Sequence, residues 1–100
     1  MRDNVVFTKS KDFALDIISL YKFLTENKKE YTLSKQLLRS GTSIGANIAE
    51  SEYAISDNDF LAKLYISLKE CAETRYWLEL LVDSNYIDQE YYLKLYSKCN

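Results

Sequence analysis

Histidine and proline are absent from this chain of 100 residues, and glycine and cysteine occur twice each. Without histidine, the side chain that most often serves as general base or metal ligand near neutral pH is missing. Without proline, and with two glycines, a many-stranded sheet has few residues to build its turns, so a few long helices are favoured over short strands. Cys71 and Cys99 have no second pair and offer no zinc spacing; they read as small buried apolar residues rather than redox partners. Long apolar runs are missing too: the longest uncharged stretch, Ser40 to Ala49, has ten residues, about half of what a membrane-spanning helix needs. The N-terminal Met1-Arg-Asp-Asn-Val-Val-Phe7 has too few apolar residues after its charge for a signal-peptide core. A cytoplasmic chain with no membrane partner is expected.

What is present suits one helical domain over residues 1–100, with 47% hydrophobic and 28% charged residues. The formal charge is −2, with eight basic and six acidic side chains in residues 1–50 and five basic and nine acidic in residues 51–100. Neither half is the kind of basic patch that drives phosphate binding.

Four helices are predicted, over residues 9–27, 33–55, 58–83 and 88–99. In the first, capped by Thr8 or Ser10, Phe13, Ile17, Leu20, Tyr21 and Leu24 share one side and Lys11, Asp12, Asp16 and Lys22 the other. The polar run Glu26 to Glu30 reads as a turn. Helix two carries the stripe Leu33, Leu37, Ile44, Ile48 and Ile55. Along one border lie Gly41, Gly45 and Ala49, a row with almost no side chains that lets another backbone come close, although each interior glycine costs about 1 kcal/mol against alanine. Along the other border Arg39, Ser43, Asn47 and Glu50 form a polar seam, which reads as hydrogen bonding between packed helices rather than as a catalytic site.

Ser56 and Asp59 have the spacing of a capping box for helix three, which spans about 37 Å at about 1.5 Å per residue. Its core face is read as Phe60, Leu61, Leu64, Leu68, Cys71, Ala72, Leu78 and Val82. Ile66, Trp77, Leu80 and Leu81 project nearly opposite, so the C-terminal half of the helix is apolar almost all round, and these four are candidates for a subunit interface; the alternative is that they pack under helix four or the N-terminal arm. Arg75 projects into the core face, either to pair with Glu50, Glu73 or Glu79 or because the two faces exchange roles toward this end. Asn85 can adopt the left-handed conformation that ends helix three, and Asp88 can cap helix four, which over about twelve residues is too short to cover a partner twice its length, so that either apolar surface stays exposed for a neighbouring subunit or the natural chain continues.

The runs Arg39-Ser-Gly-Thr-Ser-Ile-Gly-Ala-Asn-Ile-Ala-Glu50, Asp59-Phe60 and Ile66-Ser-Leu-Lys-Glu-Cys-Ala-Glu-Thr-Arg-Tyr-Trp-Leu-Glu-Leu-Leu81 closely resemble the four helix bundle proteins related to those encoded in intervening sequences of bacterial 23S rRNA genes, the S23-like family. The likeness covers roughly Phe7 to Tyr96. It implies an all-α, antiparallel up-and-down four-helix bundle, a ring-like homo-oligomer of five subunits, and no assigned enzymatic activity. A related accessory protein of retroelements associates with a reverse transcriptase and binds nucleic acid. Ser43, Asn47, Glu50, Glu70, Glu73, Thr74, Tyr76, Trp77 and Leu78 match the family's motif, and no catalytic role travels with them. The chain departs from the family in its short fourth helix and in its acidic pI of about 5.1, where a nucleic-acid-binding ring calls for a basic face.

The leading expectation is a non-enzymatic homo-oligomeric scaffold or adaptor with no cofactor. The alternative is a nucleic-acid-associated accessory protein, partnered by nucleic acid or a nucleic-acid enzyme, with Lys9, Lys11, Lys22, Lys28, Lys29 and Lys35 at one end of a ring as contacts. An enzyme ranks third. Its best case is a carboxylate site from Glu50, Glu70 and Glu73, but metal-binding bundles add histidines that this chain lacks.

Overall fold

The computed structural model describes residues 5–99; Met1 to Asn4, the charged start of the segment judged against a signal peptide, and Asn100 lie outside them. The described residues form four helices and no strand: α1 (Val5–Glu26), α2 (Leu33–Ser51), α3 (Asp57–Asp83) and α4 (Gln89–Lys98).

Side-chain oxygens set three of the helix starts by accepting the N–H groups that a first turn leaves unpaired. Ser56 Oγ accepts from Asp59 N at 3.0 Å, and Asp59 Oδ2 returns the favour to Ile55 N at 3.2 Å, a capping box shifted by one residue at its return bond. Asp88 Oδ1 accepts from Tyr91 N at 2.8 Å, and Asn85 has the left-handed φ of 67°. For α2 the acceptor is Glu30, not Thr32. Its carboxylate takes the N–H of Thr32 at 2.7 Å and of Leu33 at 2.6 Å, while Ser34 Oγ donates to its carbonyl at 2.7 Å. Lys29, at φ 55°, makes the reversal that folds Glu30 back, and Glu30 is buried as a result.

Two expected boundaries move. Helix α1 begins at Val5, so Thr8 and Ser10 lie inside it, and the buried Ser10 hydroxyl donates to Phe7 O at 2.7 Å. Helix α2 ends at Ser51 because Glu52, Tyr53 and Ala54 N–H groups each reach back three residues, to Ala49, Glu50 and Ser51, and so tighten the helix to a stop. Ile55 is therefore in the connection and 93% exposed, not part of the apolar stripe.

The core joins Phe13, Ile17, Leu20 and Leu24 of α1, Leu37, Ile44 and Ile48 of α2, Leu78 and Leu81 of α3, and Ile87, Leu95 and Cys99. Helix α2 packs against both α1 and α3, and α4 packs against α3 and α1. The glycine row faces α1: a Cβ at Gly41 would lie 2.9 Å from both Ile17 Cγ1 and Cγ2, and one at Gly45 would lie 3.1 Å from Ser10 Oγ. Close approach is thus used within the chain. The cysteines correct the expectation of two separate apolar residues, for Cys71 and Cys99 are joined in a disulfide with Cα atoms 5.9 Å apart. The ten residues of α4 carry the chain about 15 Å back along α3, which brings position 99 level with position 71.

Gly41→Ala is expected to lower stability by up to about 2 kcal/mol, since overpacking against Ile17 costs about 1–3 and helix propensity returns about 1. Gly45→Ala, which meets a rotatable hydroxyl, should be neutral or stabilising by up to about 1 kcal/mol. Urea unfolding of both variants checks the contrast, and equal responses would remove the close-approach argument.

Candidate functional site

The polar residues of α2 and α3 meet in a ladder, with partners descending on α3 as they ascend on α2. Arg39 pairs with Glu70 at 3.2 Å and with Glu73, whose Oε2 also accepts the Trp77 indole N–H at 2.9 Å. One residue on, the hydroxyls of Ser40 and Thr74 lie 2.9 Å apart. Glu70 O is a further acceptor for Thr74 at 2.8 Å, and both side chains are fully buried. Ser67 Oγ donates to Ile44 O at 2.9 Å, and Lys63 Nζ donates to Glu50 Oε1 at 3.0 Å.

Of the expected seam, Arg39 and Glu50 cross to α3. Ser43 and Asn47 bond within α2, to Arg39 O at 2.6 Å and Ser43 O at 2.8 Å. Arg75 stands apart from the ladder: its Nη2 donates to Cys99 O at 2.7 Å and its guanidinium lies 4.9 Å from the Tyr96 ring centroid. The arginine in the core face is thus met by the end of α4, through a carbonyl and an aromatic face, and none of the three glutamates offered as partners makes these contacts. Sequence reasoning missed the buried trio Ser40, Ser67 and Thr74. The signal was there in the spacing of Ser67 and Thr74, one heptad apart and so on one face of α3.

Chemically the ladder is a set of satisfied pairs. Glu70 and Glu73 share one guanidinium, and Glu50 holds Lys63 elsewhere, raising the lysine's pKa first through the hydrogen bond and then through its charge. Among the described residues no group of three or more His, Cys, Asp or Glu could hold a metal ion. The exposed ion pairs contribute little, because solvent screens them; the buried hydroxyls matter more, because an unpaired one costs about 1–3 kcal/mol.

A second feature is apolar. Leu61, Tyr65, Leu68 and Ala72, with Tyr76 beyond them, follow one another at helical spacing on α3, and the first three are 60%, 63% and 66% exposed. Leu61, Leu68 and Ala72 therefore leave the core assigned to them, and Leu81, expected at a subunit interface, is fully buried in the chain's own core. Ile66 is exposed, while Trp77 and Leu80 are half-buried, Trp77 lying 5.1 Å from the ring of Tyr76. The described residues of α4 lie over the C-terminal half of α3.

The lysines divide between two ends. Lys22, Lys28, Lys29 and Lys35 lie around the α1–α2 turn, with Lys29 Nζ donating to Glu26 O at 2.9 Å and Lys28 set over the Phe23 ring. Lys9 and Lys11 sit in the first turns of α1, about 25 Å away along the helix. A single shared rim is ruled out within one chain. Lys98 at the end of α4 pairs with Asp16 of α1 at 2.6 Å, which raises the lysine's pKa.

Four helices and no strand among the described residues, with small residues on α2 and a paired polar ladder, define an all-α protein whose features serve packing. The profile of the 23S rRNA-intervening sequence protein family matches residues 2–100, and the chain belongs to that family. It is similar to a crystal structure of a protein of unknown function from the S23 ribosomal protein family of Bacteroides thetaiotaomicron, with 55% identity and a TM-score of 0.94 over 95% of this chain and 88% of that one. No curated protein matches it. Among the described residues no helix is long and apolar enough to cross a membrane.

Thr74→Val should cost about 1 to 2 kcal/mol by leaving Ser40 short of a partner in a buried site, and adding Ser40→Ala should cost less than the sum of the two single changes. A denaturation cycle measures the coupling; strict additivity would show that the two hydroxyls do not act together.

Proposed function

We propose that the chain is a non-enzymatic scaffold or adaptor whose four helices, an antiparallel up-and-down bundle with a short fourth member, assemble into a ring-like homo-oligomer, a pentamer by family resemblance. The observation that carries this reading is the uncovered apolar stripe of α3. Among the described residues Leu61, Tyr65 and Leu68 stand 60%, 63% and 66% exposed on successive turns of α3. Contiguous apolar surface of this kind marks an interaction site on a soluble chain. The interface moves accordingly from the expected set: Leu61, Tyr65 and Leu68 take the central role, Ile66 and the half-buried Trp77 and Leu80 border it, and Leu81 drops out.

A nucleic-acid-associated role is the second reading. It is supported by the lysine group at the α1–α2 turn and by the rRNA named in the family's description, and opposed by the acidic balance of the chain. Labelled RNA titrated at low salt tests it: retention that falls steeply with salt and is lost in Lys28→Glu/Lys29→Glu supports the reading, and no retention dismisses it.

Light scattering at micromolar concentration should give a mass several times the 11.7 kDa of one chain. Leu61→Asp/Leu68→Asp should bring the mass down toward that value with helical content intact, because both side chains are exposed within the chain. A wild-type mass of one chain overturns the proposal.

A further inference from the structure

Beyond self-association, and independently of it, we propose that the Cys71–Cys99 disulfide is a reversible thiol clasp that holds the end of α4 over an apolar cavity, so that reduction frees the last turn of α4 while α1, α2 and α3 stay folded.

The clasp sits where the structure is least supported by other means. Cys71 belongs to the middle of α3, and Cys99 follows the last residue of α4. Helix α4 buries Leu95 fully, and its other core-facing side chains, Tyr91 and Tyr92, are half-buried. At its C-terminal end the non-covalent ties include the Lys98–Asp16 pair, the Arg75 bond to Cys99 O and the Arg75 guanidinium over the Tyr96 ring. By contrast, α2 is bound to α3 by the polar ladder and to α1 by the glycine contact. Ten residues are too few to persist as a helix in water without such packing. Loss of one covalent tie therefore acts on α4 first.

Beneath the clasp lies a cavity of about 370 Å³, bordered by both cysteines and by Phe13, Ile44, Ile48 and Leu64. Releasing Cys99 widens its mouth and uncovers apolar surface continuous with Leu68 of the α3 stripe. Cys71 is half-buried and Cys99 fully buried, so an attacking thiolate reaches the Cys71 sulfur first.

The step balances with a dithiol as reductant. One thiolate of the dithiol bonds to Cys71 Sγ, the Cys71–Cys99 bond breaks, and Cys99 leaves as a thiolate that takes up a proton. The second thiol of the dithiol then attacks the mixed disulfide and releases Cys71. The dithiol closes to its own disulfide, having supplied both electrons. Glutathione disulfide runs the pair back, leaving two molecules of glutathione.

Amide hydrogen exchange on the full chain, oxidised and then reduced with dithiothreitol, tests the clasp, together with a thiol titration. Oxidised protein should show no free thiol and reduced protein two per chain. Exchange in the α4 segment should rise by about tenfold or more, with residues around Leu37 and Thr74 changing by less than about twofold. Cys99→Ser without reductant should reproduce the reduced pattern, and oxidised glutathione should restore protection in the wild type only. Unchanged α4 exchange overturns the proposal. So does a uniform rise across all four helices, or a Cys99→Ser chain that fails to fold, since either makes the disulfide a staple of the whole fold. A pair that stays oxidised in millimolar reduced glutathione overturns its reversibility.

Discussion

Everything in this fold depends on how closely α2 is approached from its two sides. Toward α1 it presents Gly41, where even one added carbon would meet Ile17 at 2.9 Å. Toward α3 it presents Ser40 and the carbonyl of Ile44, which meet Thr74 and Ser67. A helix with bulky residues on both sides would hold its neighbours farther off, and the buried hydroxyls would then lie too far apart to satisfy each other. Small side chains on α2 thus set the spacing, and the spacing allows polar groups to be buried at little cost.

The same geometry leaves something undone. The long helices share their apolar faces around α2, and the described residues of α4 do not cover the N-terminal half of α3. The unshielded part of α3 is the N-terminal half, where Leu61, Tyr65 and Leu68 face outward. Where α4 does reach, a disulfide, an arginine and a salt bridge gather within its last turn. Covalent and ionic ties are concentrated where hydrophobic burial is thinnest, which fits the small apolar area a ten-residue helix can hide.

Legibility in the sequence followed the range of the interactions. Ser56, Asp59, Asn85 and Asp88 were readable because a cap or a left-handed residue involves neighbours a few positions away. The helical periodicity of α1 and α2 was readable for the same reason, and so was the motif that marks the family. Glu30 escaped notice because its carboxylate acts on its own chain only after Lys29 reverses the backbone. The faces of α3 were misassigned at Leu61, Leu68 and Leu81, since apolar residues on two sides of the helix leave periodicity little contrast to choose between them.

The sequence by itself determined that the chain is helical, where two of its turns fall, and that α2 would admit a close neighbour, all consequences of local residue preferences. Only the tertiary structure decided which neighbour that is, which side of α3 remains uncovered, that Arg75 meets the end of α4, and that Cys71 and Cys99 are bonded. Each of these depends on the direction and reach of α4 and on the order in which rods pack, and such distances between residues far apart along the chain are set by three-dimensional packing rather than by local spacing.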